Sequence, residues 1–87
     1  MFVDSYDFMR LGQSISHGDW NAAMMIVTRM QREAHDEGLS EIFDFNLSGL
    51  RGCILSRDKV QAQDILAVIT AKRVKLIKDR QEQEKNI

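Results

Sequence analysis

The sequence lacks proline entirely, although average usage near 5% would place about four prolines in a chain of 87 residues. Nothing in the covalent structure therefore obliges a helix to break, and each helix must end at a cap or a glycine. The alternation of apolar and polar residues that marks a half-buried strand is also missing, as are tandem repeats and low-complexity tracts. These absences favour an all-α protein with short corners.

Cysteine is nearly absent as well, since Cys53 is the one example. A single thiol cannot form an internal disulfide, and its apolar neighbour Ile54 indicates an ordinary buried cysteine. No second cysteine accompanies it at a metal-binding spacing, so we predict neither a zinc site nor any other metal or cofactor.

Long apolar runs are missing too. The longest, Ala22–Val27, is far shorter than the roughly 20 residues that a bilayer requires, so we predict no transmembrane helix and no membrane partner. The first residues, Met1–Ser5, lack both a basic region and a following apolar core, and therefore do not resemble a secretory signal. A cytoplasmic location is expected.

Charge of one sign is not in excess, because the formal net charge is −1. A basic cluster does occupy the last quarter of the chain: Lys72, Arg73, Lys75, Lys78 and Arg80. Asp79, Glu82 and Glu84 interrupt it, and no aromatic residue is interleaved for stacking on bases. The cluster is therefore typical of a solvated helix face, and the sequence does not favour nucleic acid as a partner.

The length suits one domain with a single core. Apolar residues at spacings of three and four predict four helices, over residues 5–16, 19–37, 40–55 and 58–80. Short corners between them favour an antiparallel four-helix bundle that comprises residues 1–80. Residues 81–87 carry no apolar side chain until Ile87, so we expect a frayed or disordered C-terminal tail there.

The predicted corners follow from glycines and capping residues. Gly18 suits a left-handed C-terminal position, and Asp19 after it can cap the second helix. Gly38 similarly ends the second helix, and Ser40 is the expected cap of the third. Asp58, with a glutamine three residues later, resembles a capping box for the fourth helix.

One apolar stripe per helix predicts the core. The expected core residues of the second to fourth helices are Trp20, Val27, Met30, Phe43, Leu47, Leu50, Leu66 and Ile69. Arg73 interrupts the stripe of the fourth helix near its end. Gly49 and Gly52 lie inside the third helix at a cost of up to about 1 kcal/mol each, which indicates that a neighbouring helix packs very close to them.

The order of elements resembles the histidine phosphotransfer (HPt) domains of bacterial multistep phosphorelays. In that family a GDW-like corner precedes a long helix with a motif close to HxLKGSAxxLGL. Here Gly18–Trp20 is GDW, and the matching segment, Thr28–Leu39, reads TRMQREAHDEGL without a gap. Ala34 matches the small residue of the motif, and Gly38 matches its final turn. The resemblance covers residues 5–80 and implies an HPt-like bundle.

In the same alignment, this chain lacks the residues that carry out phosphoryl transfer in the family. Thr28 occupies the position of the phospho-accepting histidine, and Gln31 and Arg32 stand where the family has lysine and glycine. Threonine would form a stable phosphate ester, whereas a relay needs the easily transferred phosphoramidate of a nitrogen nucleophile. His35 lies two turns beyond Thr28 but has no lysine nearby to neutralise a phosphoryl group, and we assign no role to it or to His17.

The exposed side of the second helix carries a candidate docking site. Helical spacing places Met25, Thr28 and Arg32 away from the core stripe, with Met24 between that side and the core. Methionine thioethers adapt to different partners, so Met24, Met25, Thr28 and Arg32 are the predicted partner-binding residues. Met25 as an isolated surface residue beside a core Met24 is the competing interpretation.

These observations predict a non-catalytic module, because no carboxylate pair, triad, metal cluster or phosphate loop is present. The resemblance implies a protein partner, namely a response-regulator receiver domain or a histidine kinase domain, whose phosphorelay the module would modulate. The alternative is an unrelated helical adaptor or a homodimer that buries its methionine face against itself.

Overall fold

Four α-helices follow a single turn of 3₁₀ helix in the computed structural model, which describes residues 1–85. The 3₁₀ turn is Phe2–Asp4, and the helices are α1 (Asp7–His17), α2 (Trp20–Asp36), α3 (Ser40–Leu55) and α4 (Lys59–Lys85). No strand occurs among the described residues. The all-α prediction and the presence of four helices are therefore confirmed.

The helices form a closed arrangement around one core. Each helix packs against the next along the chain, and α1 also packs against α4. As a result α2 and α4 lie diagonally opposite each other, and each contacts both α1 and α3. None of the described helices combines the length and the apolar character needed to cross a membrane.

The corner between α1 and α2 is built as its residues predict. Gly18 adopts a left-handed conformation with φ of 72°, and its N–H donates to the carbonyl of Ile15. The N–H of Asp19 donates to the carbonyl of Ser14 at 2.8 Å, and its carboxylate accepts from the N–H of Ala22 at 3.2 Å. The chain therefore reverses within two residues. The Asp19 carboxylate gives a hydrogen-bond partner to one of the N–H groups at the start of α2, which have no partner within the helix.

The predicted cap of α3 is wrong. Leu39 occupies the N-cap position, while Ser40 is the first helical residue and makes no capping hydrogen bond. Gly38, with φ of 74°, turns the chain so that the N–H of Leu39 donates to the carbonyl of Ala34 and the Leu39 side chain is buried. Burial of Leu39 thus decides the start of α3, and the Ser40 hydroxyl instead lies 3.3 Å from Nδ1 of His35.

At the corner before α4, one of the two hydrogen bonds of the predicted capping box is present. Asp58 accepts a hydrogen bond from the N–H of Gln61 at 3.1 Å, as a cap should. The Gln61 side chain does not return the bond but lies near Cys53, whose Sγ is 3.7 Å from its Oε1. Cys53 is buried, as predicted, and burial raises the pKa of its thiol.

The core contains most of the expected residues and one segment that was not expected. Trp20 and Leu66 lie only at its border, whereas the other expected residues are fully buried: Val27, Met30, Phe43, Leu47, Leu50 and Ile69. Phe2 of the 3₁₀ turn is also fully buried. Its ring meets those of Phe8 and Phe43 edge to face, with centroids 5.2 and 4.7 Å apart. The start of the chain is therefore part of the core.

Arg73, which interrupts the apolar stripe of α4, fastens this N-terminal segment. Its Nε donates to the carbonyl of Val3, and its guanidinium carbon lies 4.9 Å from the centroid of the Phe8 ring. The charged group thus stacks on an aromatic face while its stem covers apolar surface.

Close helix packing occurs at a different glycine from those predicted. Gly52 has open space around it, because it lies about 140° around α3 from the core residue Leu47. A Cβ on Gly49 would meet Ile65 at an ordinary 3.7 Å. The tightest approach is at Gly12 of α1, where a Cβ would lie 3.4 Å from a methyl carbon of Leu66 in α4.

The end of α4 also differs from its prediction. The helix continues to Lys85, beyond the expected end at residue 80. The last two residues of the predicted tail, 86–87, lie outside the described part of the chain. At about 1.5 Å per residue, α4 is about 40 Å long and exceeds each of the other helices.

Candidate functional site

The predicted partner-binding residues share the outward side of α2. Met25 is 74% exposed, as expected, and Thr28 and Arg32 are exposed one and two turns further along the helix. Met24 is half-buried and packs against the core. The structure therefore brings an apolar side chain, a small polar one and a cation together on one accessible face, with Met24 at its edge.

The Thr28 hydroxyl is engaged with the backbone of its own helix. It donates to the carbonyl oxygen of Met24 at 2.8 Å. A carbonyl oxygen is not a general base, so this hydrogen bond does not activate the hydroxyl as a nucleophile. The position that carries the reactive histidine in the resembled family thus holds a locally bonded threonine.

A recess of mixed polarity adjoins Met24 at the N-terminal end of α2. Trp20, Met24 and Leu55 contribute apolar walls, Asn21 and Arg57 contribute polar ones, and its volume is about 160 Å³. Leu55, at the end of α3, is 75% exposed. The apolar part of the face is therefore wider than Met24 and Met25. The sequence signal for Leu55 was its position beside Ile54, off the core stripe of α3.

Hydrogen bonds between polar side chains link α2 to α3 at one edge of this face. The amide nitrogen of Gln31 donates to the hydroxyl of Ser48 at 3.1 Å, and Arg51 donates to the Gln31 amide oxygen at 3.2 Å. The Gln31 nitrogen also lies 3.4 Å from a carboxylate oxygen of Asp44. Gln31, aligned with the lysine of the resembled motif, therefore links two helices here.

The opposite edge of the face is held by an ion pair. Arg29 donates from Nε and Nη2 to the two carboxylate oxygens of Asp7, at 3.0 and 2.6 Å. These hydrogen bonds lower the pKa of Asp7, against the opposing effect of burial, and the attraction of the guanidinium charge adds to them. The charge of Arg29 is thus engaged within the fold. Arg32 has no ion-pair partner among the side chains that the structure describes.

The two histidines lie at helix ends and not beside Thr28. His35 is exposed near the end of α2, with its Nδ1 3.3 Å from the Ser40 hydroxyl. His17 is the last residue of α1. Within the described range 1–85, no three or more His, Cys, Asp or Glu side chains are grouped so that they could hold a metal ion.

Two exposed aromatic residues were missed by the sequence analysis. Tyr6, directly before α1, is 73% exposed. Phe45 of α3 is 87% exposed, although it lies between the buried residues Phe43 and Leu47. Its position off the core stripe could have revealed it, because two residues along a helix correspond to a rotation of about 200°.

Comparison with known proteins found no relative of this chain. No protein-family model, curated protein or solved structure matches the chain. The resemblance to HPt domains therefore depends on the Gly18–Trp20 corner and the Thr28–Leu39 segment. The function has to be inferred from those residues and from the exposed surfaces of the helices.

Proposed function

We propose that the protein is a non-catalytic interaction module, an antiparallel HPt-like bundle without the phospho-accepting histidine. The outward face of α2 docks a receiver domain or a histidine kinase domain and thereby modulates a phosphorelay. The observation that carries this proposal is the exposure of Met25, at 74%, beside a cation in the segment that resembles the phosphotransfer motif.

The face has the chemistry that such a partner requires. A receiver domain presents an acidic phosphorylation pocket bordered by an apolar surface, as the family resemblance implies. Arg32 is exposed and can approach the carboxylates, while Met25 and the recess beside Met24 cover the apolar rim. The helix thus binds through charge and apolar contact at the same time.

The same face is unsuited to phosphoryl transfer. The Thr28 hydroxyl is bonded to the Met24 carbonyl, and a threonine ester would not pass a phosphoryl group onward. Arg32 places a long side chain where the resembled motif has glycine, and so occupies the space of an incoming active site. The contact therefore imitates phosphotransfer docking without transfer, and competes with phosphotransfer domains for the same receiver.

Calorimetric titration against receiver domains encoded near the gene tests the proposal. Met25→Asp should weaken the complex by about 1 kcal/mol or more, because apolar contact is lost and a carboxylate faces the acidic pocket. Val68→Asp is the matched control, since Val68 is an exposed apolar residue on the diagonal helix α4. It should bind like the parent protein.

Arg32→Glu examines the charge contribution separately. It should act mainly on the association rate and on its dependence on salt, because charges at an interface steer the encounter. If Met25→Asp and Arg32→Glu both bind like the parent, or if Met25→Asp unfolds the protein, the α2 face is not the docking site.

A further inference from the structure

A second apolar stripe runs along the solvent side of α4. Val60, Ala67, Ala71 and Val74 are exposed and follow one another at steps of seven, four and three residues. Val60 is 70% and Val74 58% exposed, whereas Ile69 on the opposite side of the same helix is fully buried. α4 thus carries exposed apolar side chains on its outer side as well as buried ones on its inner side, which gives it a second surface that a partner can cover.

This stripe is one wall of a groove between α1 and α4. Met9 and Gly12 of α1 and Leu66, Ala67 and Val74 of α4 line this groove, whose volume is about 750 Å³. None of the residues that line the groove is Asp, Glu, Lys or Arg, although these types make up 29% of the chain. Depletion of charge is typical of the centre of a protein interface.

We propose that a second copy of this chain occupies the groove, with the two α4 helices antiparallel across a two-fold axis at Ala71. A two-fold interface requires one patch to supply both the protruding and the receiving parts. Met9 and Val74 protrude here, whereas Ala67 and Ala71 are small and exposed. The patch is therefore complementary to itself.

The register follows from the spacing along α4. With Ala71 opposite its own copy, residues equally distant from it meet, so the exposed Val74 faces the exposed Val68 of the second copy and Ala67 faces the stem of Lys75. Asp64 then faces Lys78 of the second copy. Both are exposed on the same side of the helix as the stripe.

Charge selects between the two possible directions of the helices. The antiparallel arrangement pairs an acid with a base at each end of the contact. A parallel arrangement would place Asp64 against Asp64 and Lys78 against Lys78. The near-zero net charge of the chain, −1, adds little repulsion between copies.

The available area suits a weak but specific dimer. Ala71 is close to the middle of α4, which runs from Lys59 to Lys85, so this register uses the whole helix. About 40 Å of α4 and about 16 Å of α1, each roughly 10 Å wide, offer about 550 Å² per copy. Two copies together exceed the roughly 1,000 Å² that a specific interface needs.

The dimer leaves α2 accessible, because α2 and α4 are diagonally opposite in the bundle. Each dimer would then display two outward α2 faces on opposite sides. This inference does not depend on what binds α2.

Sedimentation velocity of the full chain across a concentration series tests the dimer. The parent should shift from monomer to dimer at concentrations of about 1 to 100 μM, because the contact is small and offers few large apolar side chains. Ala71→Glu should weaken association at least about tenfold, because two carboxylates would meet at the two-fold axis. Asn21→Glu, which adds the same charge at an exposed position of α2, the helix diagonal to α4, should leave association unchanged. Circular dichroism confirms that each variant is folded.

A charge exchange tests the register. Asp64→Lys and Lys78→Asp should each weaken the dimer, and the double variant should restore it, because only the antiparallel register pairs these two positions. If the parent protein is monomeric throughout the concentration series, the proposal is overturned, and a different protein would be the candidate partner for the groove. A dimer that Met25→Asp dissociates and Ala71→Glu does not, or a double variant without recovery, overturns it as well.

Discussion

The Asp7 carboxylate of α1 is held at both oxygens by the guanidinium of Arg29 in α2, at 3.0 and 2.6 Å. Asp7 is buried while Arg29 remains half-exposed, so the pair lies at the rim of the core. The N–H of Asp7 also donates to the Ser5 hydroxyl at 3.1 Å. The pair joins α1 to α2 beside the proposed docking face and stabilises the charged form of a buried carboxyl group.

Replacing Asp7 with asparagine should destabilise the fold by about 1–3 kcal/mol at pH 7, because a neutral amide cannot accept two charge-assisted hydrogen bonds from Arg29. The hydrogen bonds from Arg29 hold the pKa of Asp7 lower in the folded protein than in the unfolded chain. Its contribution is therefore complete above about pH 5 and declines as the pH falls through the lowered pKa. Urea unfolding at several pH values measures the difference between parent and variant.

That difference should shrink steadily below about pH 4. Asp79→Asn, at an exposed position, is the control and should change stability by less than about 0.5 kcal/mol at pH 7. An Asp7→Asn effect of equal size at pH 7 and pH 2 would show that the ion pair is not its cause.

Leu50→Ala should lower the free energy of unfolding by roughly 2 to 5 kcal/mol, because Leu50 is fully buried and its loss leaves a cavity. Leu55→Ala in the same helix is the matched control, since Leu55 is largely exposed. It should cost less than about 0.5 kcal/mol in chemical denaturation. Equal midpoints for the two variants would mean that the core is misplaced.

Alanine at two glycines should have opposite effects. Gly52→Ala should stabilise the protein by up to about 1 kcal/mol, because the site is helical and open. Gly18→Ala should destabilise it by about 1 kcal/mol, because φ there is 72° and a Cβ strains that conformation. Thermal unfolding of both variants measures the signs, and a stabilised Gly18→Ala would contradict the structure of the corner.

The protein should acquire no acid-labile phosphoryl group from a phosphorylated receiver domain, or from a kinase with ATP. The reason is that the Thr28 hydroxyl is bonded to a carbonyl and no histidine occupies its position. Radiolabel transfer followed by acid treatment measures this, with His35→Ala run in parallel. Label that appears on the parent and disappears in His35→Ala would show a phosphocarrier.

Local patterns in the sequence were sufficient for the helices and much of the core. Spacings of three and four located α1 to α4 within a few residues at most boundaries, and Gly18 with Asp19 predicted the first corner. The exposure of Met25 followed from the same periodicity. These features depend on residues within one or two turns of each other, so the sequence alone contains the information. The binding role of the α2 face stays a prediction.

Tertiary structure alone decided which distant residues meet. The Arg73 contact with Val3 joins residues separated by 70 positions, and the Asp7–Arg29 pair joins two helices. Burial of Leu39 displaced Ser40 from its expected cap. A helical pattern shows which side of a helix is apolar, but the energy of a contact between helices depends on their relative placement. That placement is set by packing of the whole core, so no local segment of the sequence specifies it.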